Sequence, residues 1–103
     1  MKPPFGALAD PTRITIIELL ARKPRSAGEI SARFEMTAPA VSQHLKILRE
    51  AGLVQVQIDA QRRIYSLNRA GFDDISQWLG GIRAFWNGRL DVLEQQLVRE
   101  RKR

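Results

Sequence analysis

Cysteine is absent from the 103 residues and histidine occurs once. The first absence excludes disulfides, thiolate metal sites and cysteine nucleophiles together, and it suits a reducing interior. A single imidazole cannot build a metal site, so no metal and no cofactor is expected. No apolar run approaches the ~20 residues of a membrane span, and Met1-Lys2-Pro3-Pro4-Phe5-Gly6 has no stretch of signal-peptide length. A soluble, cytoplasmic chain without a membrane partner is expected. Also missing are a glycine-rich phosphate loop, a paired-carboxylate constellation and a Ser/His/Asp set, so the chain does not read as an enzyme. Repeats and low-complexity tracts are lacking too, which leaves one domain over residues 1–103.

What is present is basic charge: 17 Lys+Arg against 11 Asp+Glu give +6. That balance favours an anionic partner such as nucleic acid or an acidic membrane surface. With 44% hydrophobic residues the chain can build a core, although a domain of this size buries only about 65% of its unfolded surface. Stability then leans on a partner subunit.

Local signals order the elements. Asp10-Pro11-Thr12 combines an N-cap acceptor with proline at the first helical position, where its missing N–H costs nothing. The helix it opens, 11–22, carries Ile14, Ile17 and Leu20 at helical spacing, widened by Ile16 and Leu19, and Lys23-Pro24 stops it. Ser26-Ala27-Gly28-Glu29 has the form of a capping box. It predicts a short second helix through Ile30 to Phe34, then a turn of about three residues. Thr37 caps a third helix to Ala51, closed by Gly52 in a left-handed conformation. Together 26–52 have helix-turn-helix spacing.

The hydrophobic period then falls from 3.6 to 2. Val54, Val56 and Ile58 alternate with Gln55 and Gln57, and Arg63-Ile64-Tyr65-Ser66-Leu67 returns, giving a hairpin over 53–67. Its tip, Asp59-Ala60-Gln61-Arg62, lacks the glycine that a two-residue turn favours, so a longer loop is expected. Helical periodicity resumes over 70–101, with Ile75, Trp78, Leu79, Ile82, Phe85, Trp86, Leu90, Leu93 and Leu97 at steps of three and four. Gly80-Gly81 leaves open whether this is one helix or two. Asp73-Asp74 read as acidic residues at its start. A continuous helix would outrun a small domain, so a second copy covering its stripe, and hence a homodimer, is expected.

This order is mainly α with a small β-hairpin wing: a winged helix-turn-helix with a long C-terminal dimerisation helix. On the helix from Thr37 to Ala51, Val41, Leu45 and Leu48 face inward, while Ala38, Pro39, Ser42, Gln43 and Lys46 face out. Such a face suits the major groove of double-stranded DNA, where Gln43 can pair with an adenine edge. Lys46 and Arg49 read as phosphate contacts, and Arg62 and Arg63 at the hairpin tip as minor-groove or phosphate contacts rather than a solvated end. His44 stays open between DNA contact and packing, and Arg13 between DNA contact and a structural role.

Three ordered motifs carry a family resemblance: Leu8-Ala9-Asp10-Pro11-Thr12-Arg13; the stretch from Val41-Ser42-Gln43-His44-Leu45-Lys46 to Gly52-Leu53-Val54; and Arg62-Arg63-Ile64-Tyr65. Over residues 5–98 the chain resembles the ArsR/SmtB family of bacterial winged-helix repressors. The resemblance implies a homodimeric repressor bound to an inverted-repeat operator and released by an inducer, with a reading helix from Thr37 to Ala51 and a wing from Val54 to Leu67. It implies a dimer surface around Phe5 and Leu8 together with the C-terminal helix, on which Trp78, Ile82, Phe85, Trp86, Leu90 and Leu93 read as interface rather than ligand pocket. Metal-sensing members carry a cysteine pair on the helix that here reads Glu29-Ile30-Ser31-Ala32-Arg33-Phe34, or an Asp/His/His/Glu set on the last helix. Neither is present, and the segment from Trp78 to Leu93 is instead similar to the metal-independent, SdpR-like subgroup. A different class, a protein-interaction module docking a partner on the C-terminal helix with DNA incidental, is the alternative. No role is assigned to the basic run Arg99-Glu100-Arg101-Lys102-Arg103.

Overall fold

The structure is a computed structural model that describes residues 4–101. Met1–Pro3 and Lys102–Arg103, the ends of the expected 1–103 domain and of its basic tail, lie outside the described residues. The elements run α1 (Phe5–Leu8), α2 (Pro11–Arg22), β1 (Arg25–Ser26), α3 (Ala27–Ser31), α4 (Ala38–Glu50), β2 (Val54–Asp59), β3 (Arg62–Leu67) and α5 (Arg69–Arg101).

The capping signals act as read. Asp10 Oδ1 accepts from the amides of Thr12 at 2.8 Å and Arg13 at 3.1 Å. Ser26 and Glu29 bond each other's amides, both at 3.2 Å, and Thr37 Oγ1 accepts from the amide of Ala40. Gly52 ends α4 at φ +78°. The core behind these caps joins Ile16 and Leu20 of α2, Ile30 of α3, Val41, Leu45 and Leu48 of α4, Leu53 just before the sheet, and Val54 and Tyr65 within it, all buried. The buried face of α2 is therefore centred on Ile16 and Leu20, and Ile14 is exposed.

Several expectations need correction. The second helix ends at Ser31, short of Phe34: the amides of Arg33 and Phe34 bond back three residues, to Ile30 and Ser31, a tightening that unwinds the helix. The connection to α4 consequently runs from Ala32 to Thr37, longer than the short turn expected. The wing is not a lone hairpin. Lys23, extended at φ −170° and ψ 157° as the residue before a proline must be, leads the chain straight into β1, which pairs with β3 (Arg25 with Tyr65, Ser26 with Ile64). The sheet order is β1-β3-β2, and Arg25 is buried with its Nε donating to the carbonyl of Leu19.

The hairpin tip is also tighter than expected. Asp59 pairs with Arg62, leaving a two-residue turn in which Ala60 takes φ +57°. A positive φ at the first central position is the demand that usually selects glycine; here an alanine bears it, and pairing of the flanking strands compensates. Ile58, expected beside Val54 and Val56, lies past the core and is exposed.

The last helix is continuous through Gly80-Gly81 and starts at Arg69, so Asp73 and Asp74 sit in its second turn, with Asp73 3.9 Å from Arg69. Its start is pressed on the end of α4: a Cβ on Gly71 would collide with the Gly52 carbonyl oxygen. From there it projects about 50 Å, which stretches the molecule to 73 × 26 × 22 Å. None of its residues is buried.

Two substitutions should move stability in opposite directions. Ala60→Gly removes the roughly 1–2 kcal/mol that an L-residue bears in the left-handed region, partly offset by glycine's greater freedom in the unfolded chain; a small rise in the urea midpoint is expected. Gly71→Ala should lower that midpoint, and an unchanged value would show that α5 is not docked on Gly52.

Candidate DNA-reading cleft

Because Val41, Leu45 and Leu48 are locked in the core, the rotation of α4 about its axis is fixed. Its opposite face must then point outward. That face forms one wall of an open cleft of about 520 Å³, lined by Pro39, Ser42, Gln43, Lys46, Arg49 and Glu50; the other wall is Arg63 and Tyr65 of β3. Arg63 and Tyr65 stand two apart on a strand and so share a face.

The cleft thus gathers Pro39, Ser42, Gln43, Lys46, Arg49 and Arg63 from the residues expected to contact DNA. Ala38 lies outside its lining. His44 lies on the flank away from the cleft, its Nδ1 3.3 Å from Arg13 Nη1 and 3.9 Å from Asp10 Oδ1. Arg13 meanwhile donates from Nε to the carbonyl of Ala7 at 2.6 Å and from Nη2 to that of Gly6. The arginine left open by the sequence is therefore a strut joining α1, α2 and α4. Arg62, one position from Arg63, points to the other face and meets Glu29 at 3.1 Å.

Glu50 and Tyr65 also line the cleft and are not among the residues the sequence singles out. Glu50 stands four after Lys46 and seven after Gln43, so helical spacing puts it on the same face. Tyr65 was identifiable as the residue two beyond Arg63.

The expected interface residues are split. Leu8 packs on the protomer's own core, and Phe5 sets its ring edge-on to Trp78 at 4.9 Å. Beyond that contact Ile82, Phe85, Trp86, Leu90 and Leu93 are exposed, Trp86 at 58%.

Comparison with known proteins bears on this geometry. Residues 10–56 match the family described as bacterial regulatory protein, arsR family. The transcriptional repressor SdpR of Bacillus subtilis is 36% identical over 75 residues, 73% of this chain and 83% of that protein. The chain belongs to the arsR family. The transcriptional regulator Rv2034 of Mycobacterium tuberculosis is 46% identical over 67 residues, which are 65% of this chain and 63% of that protein. Among solved structures, an ArsR-like regulator from Rhodococcus sp. RHA1 aligns at TM-score 0.74 with 31% identity, covering 88% of this chain and 86% of that one. A homodimeric winged helix-turn-helix DNA-binding domain from Mycobacterium bovis aligns at TM-score 0.62 over 85% of this chain and 79% of that one, a likeness of fold at 24% identity. The family and the winged helix-turn-helix architecture expected from the motifs are thus both met. No helix among the described residues of this arsR-family chain is long and apolar enough to cross a membrane.

Two carboxylates hold the frame around the cleft. The amide of Arg13 foremost, with that of Thr12 and the charges of Arg13 and His44, holds the Asp10 carboxyl below its usual range. The Ser26 amide and hydroxyl, then Arg62 and Lys23, do the same for Glu29. A depressed folded value stabilises the fold fully above about pH 4, the unfolded carboxylate range, and that contribution is lost as pH falls through the lowered value. Urea midpoints should therefore drop as pH falls below about 4, with a shallower drop in Asp10→Asn and Glu29→Gln; equal slopes in all three proteins would contradict the assignment.

Proposed function

We propose that this arsR-family chain is a homodimeric, sequence-specific repressor that binds an inverted-repeat operator in double-stranded DNA through the cleft between α4 and β3. One observation carries the reading: Ser42, Gln43 and Lys46 share an outward face whose orientation the core fixes, and Arg63 stands across from them.

In the mechanism, α4 enters a major groove about 12 Å wide. Gln43 presents an amide able to bond the two edge groups of an adenine, Ser42 bonds a base or phosphate, and Pro39, with Ala38 at its flank, contacts thymine methyls. Lys46, Arg49 and Arg63 bind phosphates and set the register without reading sequence. His44 acts from behind the helix, through Arg13 and Asp10, to hold its position. Repression follows from occupying the promoter against polymerase.

The second copy is called for by α5, whose exposed aromatic and aliphatic stripe from Trp78 to Leu97 is too extended for a chain that stays alone in water. Pairing two such helices covers the stripe and offers two reading helices to successive major grooves, which a twofold operator requires. The Mycobacterium bovis relative of like fold is itself described as homodimeric.

The experiment is a fluorescence-anisotropy titration against the DNA upstream of the chain's own gene, with selection from a random library as the second source of sites. A preferred site is expected, at which Gln43→Ala loses roughly 5- to 150-fold, the worth of one bidentate base contact, and Lys46→Ala weakens all sequences alike. Trp86→Glu with Leu90→Glu should sediment as a folded monomer and lose the preferred site. Binding no tighter to any selected site than to random duplex at matched salt would overturn the reading.

A further inference from the structure

The sequence presents Arg62 and Arg63 as a pair of equals at the wing. The fold separates them. Adjacent residues on a strand alternate between faces: Arg63 lines the cleft with Tyr65 and also borders the hollow beside Ser26–Gly28, while only Arg62 meets a carboxylate, its Nη2 lying 3.1 Å from Glu29 Oε1. The same Glu29 oxygen accepts from the amide of Ser26, and the Ser26 hydroxyl oxygen accepts from the Glu29 amide. Glu29 therefore cannot swing away with Arg62 without opening the cap of α3. Ser26 is in turn paired to Ile64 of the wing strand, so the carboxylate is anchored from both sides. Arg62, by contrast, is 62% exposed along its side chain and free to change partner. Among the described residues, Arg63 has no carboxylate within ion-pair distance.

We infer that Glu29 is a specificity-determining residue: its anchored carboxylate competes with DNA phosphate for Arg62, so that the wing spends less charge on sequence-independent binding. The proposal rests on the DNA reading above. Its physical basis is that each phosphate neutralised by a cation adds the same affinity to every sequence and steepens the salt dependence by about 0.9 in the logarithm. An internal anion that occupies Arg62 lowers affinity for random DNA, leaves base reading by Ser42 and Gln43 untouched, and so widens the ratio between the preferred site and the rest. The cost to the fold is small, because an exposed pair of this kind contributes little stability.

The test compares the wild-type chain with Glu29→Gln, Arg62→Ala and the double variant, on a short duplex of random sequence over a range of salt. Gln keeps an acceptor for the Ser26 amide while removing the charge. Glu29→Gln is expected to bind random duplex about five-fold more tightly near physiological salt, with a slope steeper by about 0.9, and to show no such gain when Arg62 is already alanine. An unchanged affinity in Glu29→Gln, or an equal gain in the Arg62→Ala background, overturns the proposal, the latter because a bare field effect of the carboxylate would explain it. A DNA-free measurement separates this from failure of the DNA reading. The carbon-13 titration midpoint of the Glu29 carboxyl should rise in Arg62→Ala, and a midpoint that stays put overturns the pairing even if the chain binds DNA well. A chain that binds no duplex while the midpoint does rise overturns the DNA reading and, with it, the competition, but leaves the ion pair standing.

Discussion

The rest of the structure depends on the burial of one helical stripe, Val41, Leu45 and Leu48, against Ile16, Leu20, Ile30 and Leu53. Burying side chains of this size contributes about 1.5–3 kcal/mol each relative to leaving them in water, far more than any polar contact on the surface of the same helix. Rotation of α4 is therefore set by its inner face, and its outer face inherits whatever orientation results. That is how a packing constraint sets the wall of the cleft: the polar residues are positioned by the apolar ones beneath them.

Around this stripe, short polar devices fix where each element begins. Asp10 caps α2, and Arg13 in its first turn ties α1 and α4 together through Ala7 and His44. Ser26 ends a strand and starts a helix at the same residue, while Glu29 closes the cap and grips the wing. The consequence is that the wing is not an appendage: β1 pairs with β3 and ties the wing to the helical frame, and the cleft forms between β3 and α4. Only α5 leaves this frame. It departs from a glycine contact at Gly71 and carries its apolar stripe into solvent, so a single chain satisfies the demands of the winged domain and leaves those of the helix to another surface.

Much of this was legible in the residues. Capping boxes, Pro at the first helical position and the change of period from 3.6 to 2 are local signals, and Asp10, Ser26, Thr37 and Gly52 did what their chemistry says. The motifs from Leu8 to Tyr65 pointed to the family that the comparisons then gave. The differences have separate causes: Arg25-Ser26 is a strand because β3 lies alongside, the turn at Ala60 is tight because Asp59 and Arg62 pair, and α3 ends at Ser31 where the amides of Arg33 and Phe34 bond back three residues. The strand at Arg25-Ser26 needed a partner some forty residues on, which no local signal carries.

The sequence by itself determined which faces were apolar, where helices were capped and that the charge balance was basic, because these depend on side chains a few residues apart. Only the tertiary structure decided how those charges are used. Arg62 and Arg63 are identical in chemistry and adjacent in the chain, yet pleating sends one to Glu29 and the other to the cleft; His44 stands beside Gln43, yet helical rotation turns it back toward Arg13. Neighbours along the chain part company because a strand reverses its side chains at every step and a helix turns them by about 100°, and which direction meets a partner is fixed by the core.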